Sequence, residues 1–168
     1  AAAAFARSQS SPHPHYSRAE EIASSLSHAL GIVLGIAGLA VLAAFATLHG
    51  GTSRIVSVSI YGTTLILLFT ASTLYHAVPH PRATPILRVL DRPAIFLLIA
   101  GTYTPFALIS LRGAWGWSLF AIVWTLAIIG IALELRHVRN RLVAALLYLG
   151  MGWVGIVAIK PMVANLEP

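Results

Sequence analysis

The chain is 168 residues long, 58% hydrophobic and only 10% charged, with a formal net charge of +6 and a mean hydropathy of +0.83. Soluble domains carry about 25% charged residues, so too little polar surface exists here to cover a water-soluble globule, and the solvent that suits the composition is lipid. The basic balance does not indicate nucleic acid, because Arg and Lys lie between apolar runs and form no patch with interleaved aromatics; the lack of cysteine excludes disulfides and zinc–thiolate sites.

Residues 1–20 read as a flexible polar tail. Arg7, a Ser/Gln run and His13-Pro14-His15 contain no apolar core of the kind a signal peptide needs, and the two tail histidines read as solvated low complexity. Beyond the tail, no Asp, Glu, Lys or Arg occurs in 22–53, 55–81, 93–111, 113–133 or 142–159. Each stretch supplies about 18–24 apolar residues, which at about 1.5 Å per residue crosses a hydrocarbon core of roughly 30 Å. The expected spans are 26–48, 55–76, 93–111, 115–135 and 142–162. Backbone in lipid must satisfy its own hydrogen bonds, and no period-two alternation points to a barrel, so the fold class is all-α: a polytopic transmembrane helical bundle.

Arginine and lysine placement sets the orientation. Arg7, Arg18, Arg82, Arg88, Arg92, Arg136, Arg139 and Arg141 fall on one side, and Arg54, Arg112 and Lys160 on the other. The heavier side is the cytoplasmic one, which puts the N-terminus inside; the expected location is the cell's inner (plasma) membrane. Gly31 and Gly35 are spaced to let another helix approach closely. The cluster Gly150, Gly152 and Gly155 in the fifth span follows no strand and carries no phosphate-loop ending. Pro105 should kink the third span, with Thr102 and Thr104 taking the freed carbonyls, while Trp115, Trp117 and Trp153 read as interfacial anchors.

Polar groups inside spans are functional candidates, since an ionisable one costs about 2.5–3.5 kcal/mol on insertion scales. Ser72 and His76 close the second span and, four residues apart, share a helix face. A neutral imidazole is a good zinc ligand, and a serine one turn away can orient it or a bound water. The pair also reads as an interfacial histidine beside a serine bonded back to its own helix. Asp91 opens the third span; because the second span runs inward and the third outward, His76 and Asp91 meet at one membrane depth. Followed by Arg92 and Pro93, Asp91 equally reads as an N-cap with proline in the first turn. His80 imitates a helical zinc pair with His76, but Pro79 and Pro81 should break that helix. His28 lies seven residues after Glu21, on a similar face, and is expected to be buried and hydrogen-bonded, with a site-lining role as the alternative. Glu134, Arg136 and His137 read as an interfacial charge cluster, and His49 as a loop residue.

Three segments together resemble the hemolysin III family, the bacterial branch of the progestin and adipoQ receptors, over nearly the whole chain after the tail. They are Glu20-Glu21 with Ser27-His28-Ala29-Leu30-Gly31, then Ser72-Thr73-Leu74-Tyr75-His76, and the long run from Leu90-Asp91-Arg92-Pro93 to Gly101-Thr102-Tyr103-Thr104-Pro105. The resemblance implies seven helices, an inside N-terminus and zinc near the cytoplasmic face. It would make His76 a zinc ligand, Asp91 a base or a contact to the metal through water, and Ser72 a supporting residue. One departure is Ser24, in the region where the family commonly has asparagine. The family's two other zinc histidines form an H-x-x-x-H pair in the seventh span, so a chain of five spans ending at Pro168 is expected to be a fragment, with zinc bound only if further spans supply that pair.

The resemblance leaves three functions in competition. A zinc-dependent, ceramidase-like hydrolase would polarise a lipid amide or ester and lower the pKa of bound water from about 15.7 towards 7. Asp91 would accept the proton and Ser72 hydrogen-bond the developing oxyanion. A pore-forming cytolysin is disfavoured by the lack of a polar stripe along any span. The third is a receptor or membrane-stress regulator that holds lipid without turning it over.

Overall fold

In hydrocarbon a backbone N–H or C=O finds no water, so each must be bonded within the chain. The computed structural model describes residues 17–111, 113–136 and 141–164, which outside short connections are helical, with no strand among them: α1 (Arg18–His49), α2 (Thr52–Ala77), α3 (Ala83–Pro105), α4 (Gly113–Leu135), α5 (Arg141–Trp153) and α6 (Ile159–Ala164). A π-helical stretch, Phe106–Leu111, prolongs α3, and a 3₁₀ stretch, Val154–Ala158, joins α5 to α6. Among the described residues, four helices are long and apolar enough to cross a membrane: α1, α2, α3 with its π-helical extension, and α4. Residues 142–158 form a shorter apolar helix. The protein is a polytopic helical membrane bundle.

A capping box starts α1. The Ser17 hydroxyl accepts from the Glu20 N–H, and the Glu20 carboxylate accepts from the Ser17 N–H at 2.6 Å, which satisfies two orphan donors of the first turn. The expected tail lies outside the described residues up to Tyr16, and α1 is under way by Arg18. At the far end Gly50 and Gly51 make a two-residue connection, and the Arg54 guanidinium donates to the His49 carbonyl at 2.9 Å. His49 is the last residue of α1 and not a loop residue.

The start of α3 differs from the expectation. The helix begins at Ala83, so Asp91 stands two turns inside it and Pro93 is an internal proline; Asp91 is not an N-cap. The first-turn proline is Pro85, and the Thr84 hydroxyl donates to the His80 carbonyl at 3.0 Å. Arg88 fastens this extra segment to α2: its Nε donates to the Tyr75 hydroxyl at 3.2 Å, and its guanidinium lies 5.7 Å from that ring's centroid. At the other end, Pro105 is followed by a π-helical turn, a usual response where the i→i−4 ladder is interrupted. Thr102 and Thr104 bond backward to the carbonyls of Leu98 and Ala100, not to that of Gly101, which is the one Pro105 leaves without its N–H.

The fifth segment is helical from 141 to 164 but not α-helical throughout. It changes to 3₁₀ at Val154 because α3 intrudes. The Tyr103 hydroxyl donates to the Gly152 carbonyl at 2.8 Å and accepts from the Gly155 N–H at 3.1 Å. One side-chain oxygen thus takes over backbone groups that an unbroken helix would have paired internally.

Consecutive helices pack side by side, α1 on α2, α2 on α3 and α3 on α4, with α5 against α3 and α4. Small residues set the spacing. A Cβ on Gly31 would lie 2.7 Å from the Phe69 ring, and one on Gly62 would lie 2.5 Å from Leu39. Cβ atoms on Gly101 and Gly130 would overlap Thr64 and Phe96. Close backbone approach of this kind is how helices associate where lipid removes the hydrophobic incentive. The core lies among α3, α4 and α5, around Phe96, Ala100, Val123, Ala127 and Met151. Outward faces are apolar, as lipid requires: Leu26, Val33, Leu34 and Phe45 on α1 are all exposed, and so are Trp115, Trp117 and Trp153.

Candidate functional site

Antiparallel pairing of α1 and α2 brings the beginning of one helix to the end of the other. Glu21 is in the first turn of α1, where the capping box fixes the chain's direction, and His76 is in the last turn of α2. Their side chains meet: His76 Nδ1 and Glu21 Oε2 are 2.7 Å apart. Both are well covered, with side-chain exposures of 16% and 14%, so solvent screens the contact weakly.

His28 comes next, two turns along α1 on the face that carries Glu21. Its ring centroid is 5.8 Å from that of His76, in an edge-on arrangement, and 5.8 Å from that of Phe69. The Phe69 ring reaches this place because Gly31 leaves room for it. His28 is not hydrogen-bonded through its buried Nδ1, which finds no partner among the described residues. The expectation of a satisfied core histidine therefore fails, and the site-lining alternative fits. Asp91 is half-buried on α3, and it and His76 both lie within electrostatic reach of His28. Ser72 is buried one turn before His76, and the neighbouring Thr73 hydroxyl is buried without a hydrogen-bond partner among the described residues. Tyr75 sets its ring edge-on to His76 at 5.0 Å.

Glu21, His28, Ser72, His76 and Asp91 thus belong to one end of the bundle, drawn from three helices. His80 stands apart. It follows the end of α2, and its Nδ1 accepts from the Arg82 N–H at 3.3 Å, so the helical pair with His76 does not form. Glu134 reaches across to Arg92 at 3.7 Å, while His137 and the tail histidines lie outside the described residues. A cavity of about 520 Å³ opens elsewhere, between α3, α4 and the 3₁₀ stretch, and is lined by Leu98, Thr102, Phe106, Leu119 and Gly155 among others.

What the sequence reading missed is Glu21 as the partner of His76. Its signal was the seven-residue spacing to His28, which puts both on one face of α1; what the spacing lacked was the register of α1 against α2. As for zinc, no three His, Cys, Asp or Glu side chains among the described residues converge closely enough to hold a metal. The residues present fit one imidazole ligand with a supporting carboxylate. A full coordination sphere takes three or four protein ligands.

The haemolysin-III related family matches residues 16–168. Hemolysin-3 of Bacillus cereus is 49% identical over 148 residues, which cover 88% of this chain and 68% of that protein. The Hemolysin-3 homolog of Bacillus subtilis (strain 168) is 43% identical over 149 residues, covering 88% and 70%. No solved structure matches. With a family match that spans nearly every residue from the helical start onward, the chain belongs to the haemolysin-III related family.

Proposed function

We propose that this protein is a zinc-dependent membrane hydrolase acting on a lipid amide or ester, with its site at the inner leaflet and its N-terminus in the cytoplasm. The observation that carries the reading is the Glu21–His76 contact at 2.7 Å, beside an imidazole nitrogen of His28 that is buried and without a hydrogen-bond partner among the described residues. Unsatisfied polar groups at membrane depth are expensive and mark function, and a carboxylate on one ring nitrogen is the usual support of a metal-binding histidine. His76 would be one ligand, with the others supplied from outside the described residues. Zinc held there would polarise a carbonyl and acidify a bound water. Asp91 would accept the proton that leaves the attacking water and return it to the leaving amine or alcohol as the acyl C–N or C–O bond breaks, and Ser72 would donate to the oxyanion on the acyl carbon. The arginine count supports the orientation.

The test is zinc content and lipid turnover of the full-length protein, with and without His76→Ala. Loss of both in the variant upholds the reading; unchanged zinc and unchanged turnover overturn it. The name of the Bacillus cereus relative raises membrane permeabilisation as a second reading. The apolar outer faces of the helices speak for residence in lipid and not for a standing water channel. Dye release from liposomes that persists in His76→Ala would favour the pore.

A further inference from the structure

The Glu21–His76 contact joins residues 55 positions apart, so it is a product of tertiary structure and not of helix spacing. Two local features bring it about. The Ser17–Glu20 capping box holds the first turn of α1 in a defined direction, and Gly31 and Gly62 let α1 and α2 approach until Phe69 and Leu39 touch the opposite backbone. Glu21 is therefore carried to His76 by a rigid pair of helices.

The chemistry of the contact is specific. Where a carboxylate oxygen accepts the hydrogen bond, the imidazole nitrogen facing it carries the proton. That nitrogen is Nδ1. A metal or a substrate approaching the same ring then meets Nε2, which is the basic nitrogen in that tautomer. A negative partner on one nitrogen also raises the donor strength of the other and fixes the ring's orientation.

We propose that Glu21 is the positioning residue of the site: from α1 it accepts the Nδ1–H of His76 on α2, and so fixes the tautomer in which Nε2 is the ligand nitrogen. The zinc-binding consequence rests on the function proposed above, whereas the tautomer does not.

The experiment uses full-length protein in detergent micelles with ¹⁵N-labelled histidine, the His76 signals being identified by their loss in His76→Asn. Zinc alone is titrated against a chromophoric chelator. The wild type should show Nδ1–H at His76. Glu21→Ala should mix the tautomers and weaken zinc binding by about 10–100-fold. Glu21→Gln keeps an oxygen that accepts the same hydrogen bond, and should hold the tautomer and lose only a few-fold in affinity. Should the alanine variant not fold, Glu21→Asp serves in its place: it keeps the charge but withdraws the carboxylate by one methylene, and should give a mixed tautomer and weaker zinc. An unchanged tautomer in Glu21→Ala or Glu21→Asp, or zinc bound as tightly as by the wild type, overturns the positioning role. If wild type and variants alike bind no zinc, the hydrolase reading fails; the tautomer then decides the role of Glu21 alone, upheld by a shift and overturned by none.

Discussion

Two regions of this bundle treat their polar groups in opposite ways. Among α3, α4 and α5 the core is packed around Phe96, Val123 and Met151, and the polar atoms inside it are matched. Thr104 donates to Ala100, the Trp124 indole donates to the Thr104 hydroxyl at 3.2 Å, and Tyr103 serves two backbone groups. At the end where α1 meets α2, by contrast, an imidazole nitrogen and a threonine hydroxyl are buried with no hydrogen-bond partner among the described residues, and an acid and a histidine face each other. The first arrangement is what stability selects, because a satisfied network rigidifies a core. The second keeps polar groups in a costly place, which makes sense where something else is to be bound. Polarity within the membrane domain is therefore not by itself a sign of a site; unfinished bonding is what marks the candidate.

Substitutions in the two regions should have different consequences. The largest effect is expected from Asp91→Asn, which should lower lipid turnover by about 10²–10⁴-fold, the range for loss of a general base, while zinc content stays near that of the wild type. Next are the glycines. Gly31→Ala would press on Phe69 and Gly130→Ala on Phe96, and each should destabilise the protein by about 1–3 kcal/mol in thermal or denaturant unfolding, as overpacking does. Only the first lies behind His28, so only Gly31→Ala should also weaken zinc binding. Gly38, where an added Cβ would meet nothing within 4 Å, is the control: Gly38→Ala should leave zinc untouched and stability level or raised by under about 1 kcal/mol. The smallest effect belongs to Trp124→Phe, which removes one half-buried interhelical bond and should cost about 0.6 kcal/mol without altering zinc or turnover. A loss of zinc in Trp124→Phe would blur the distinction between the two regions.

Much of the fold was legible because lipid imposes simple rules on sequence. Charge-free stretches located α1, α2 and α4 directly, and the Gly31 spacing anticipated the close contact with α2. The start of α3 was misread because Asp91-Arg92-Pro93 imitates a helix opening, while the operative first-turn proline is Pro85 and the preceding segment is pinned by Arg88 on Tyr75. The break in the fifth segment was hidden for a different reason. It depends on a tyrosine 49 residues away from the carbonyl it binds, and no local propensity encodes that. The candidate site was half legible. Ser72, His76 and Asp91 stood out by type and position, but Glu21 entered only through the register of two helices, which hydrophobic pattern alone leaves open.

The proposal that this end of the bundle is a metal-dependent site rests on His76. Its most direct test is the zinc content of the full-length protein purified without added metal, measured by elemental analysis beside that of His76→Ala. About one zinc per chain in the wild type and a near-empty variant is the predicted result. Equal zinc in the two, or none in either, would contradict it.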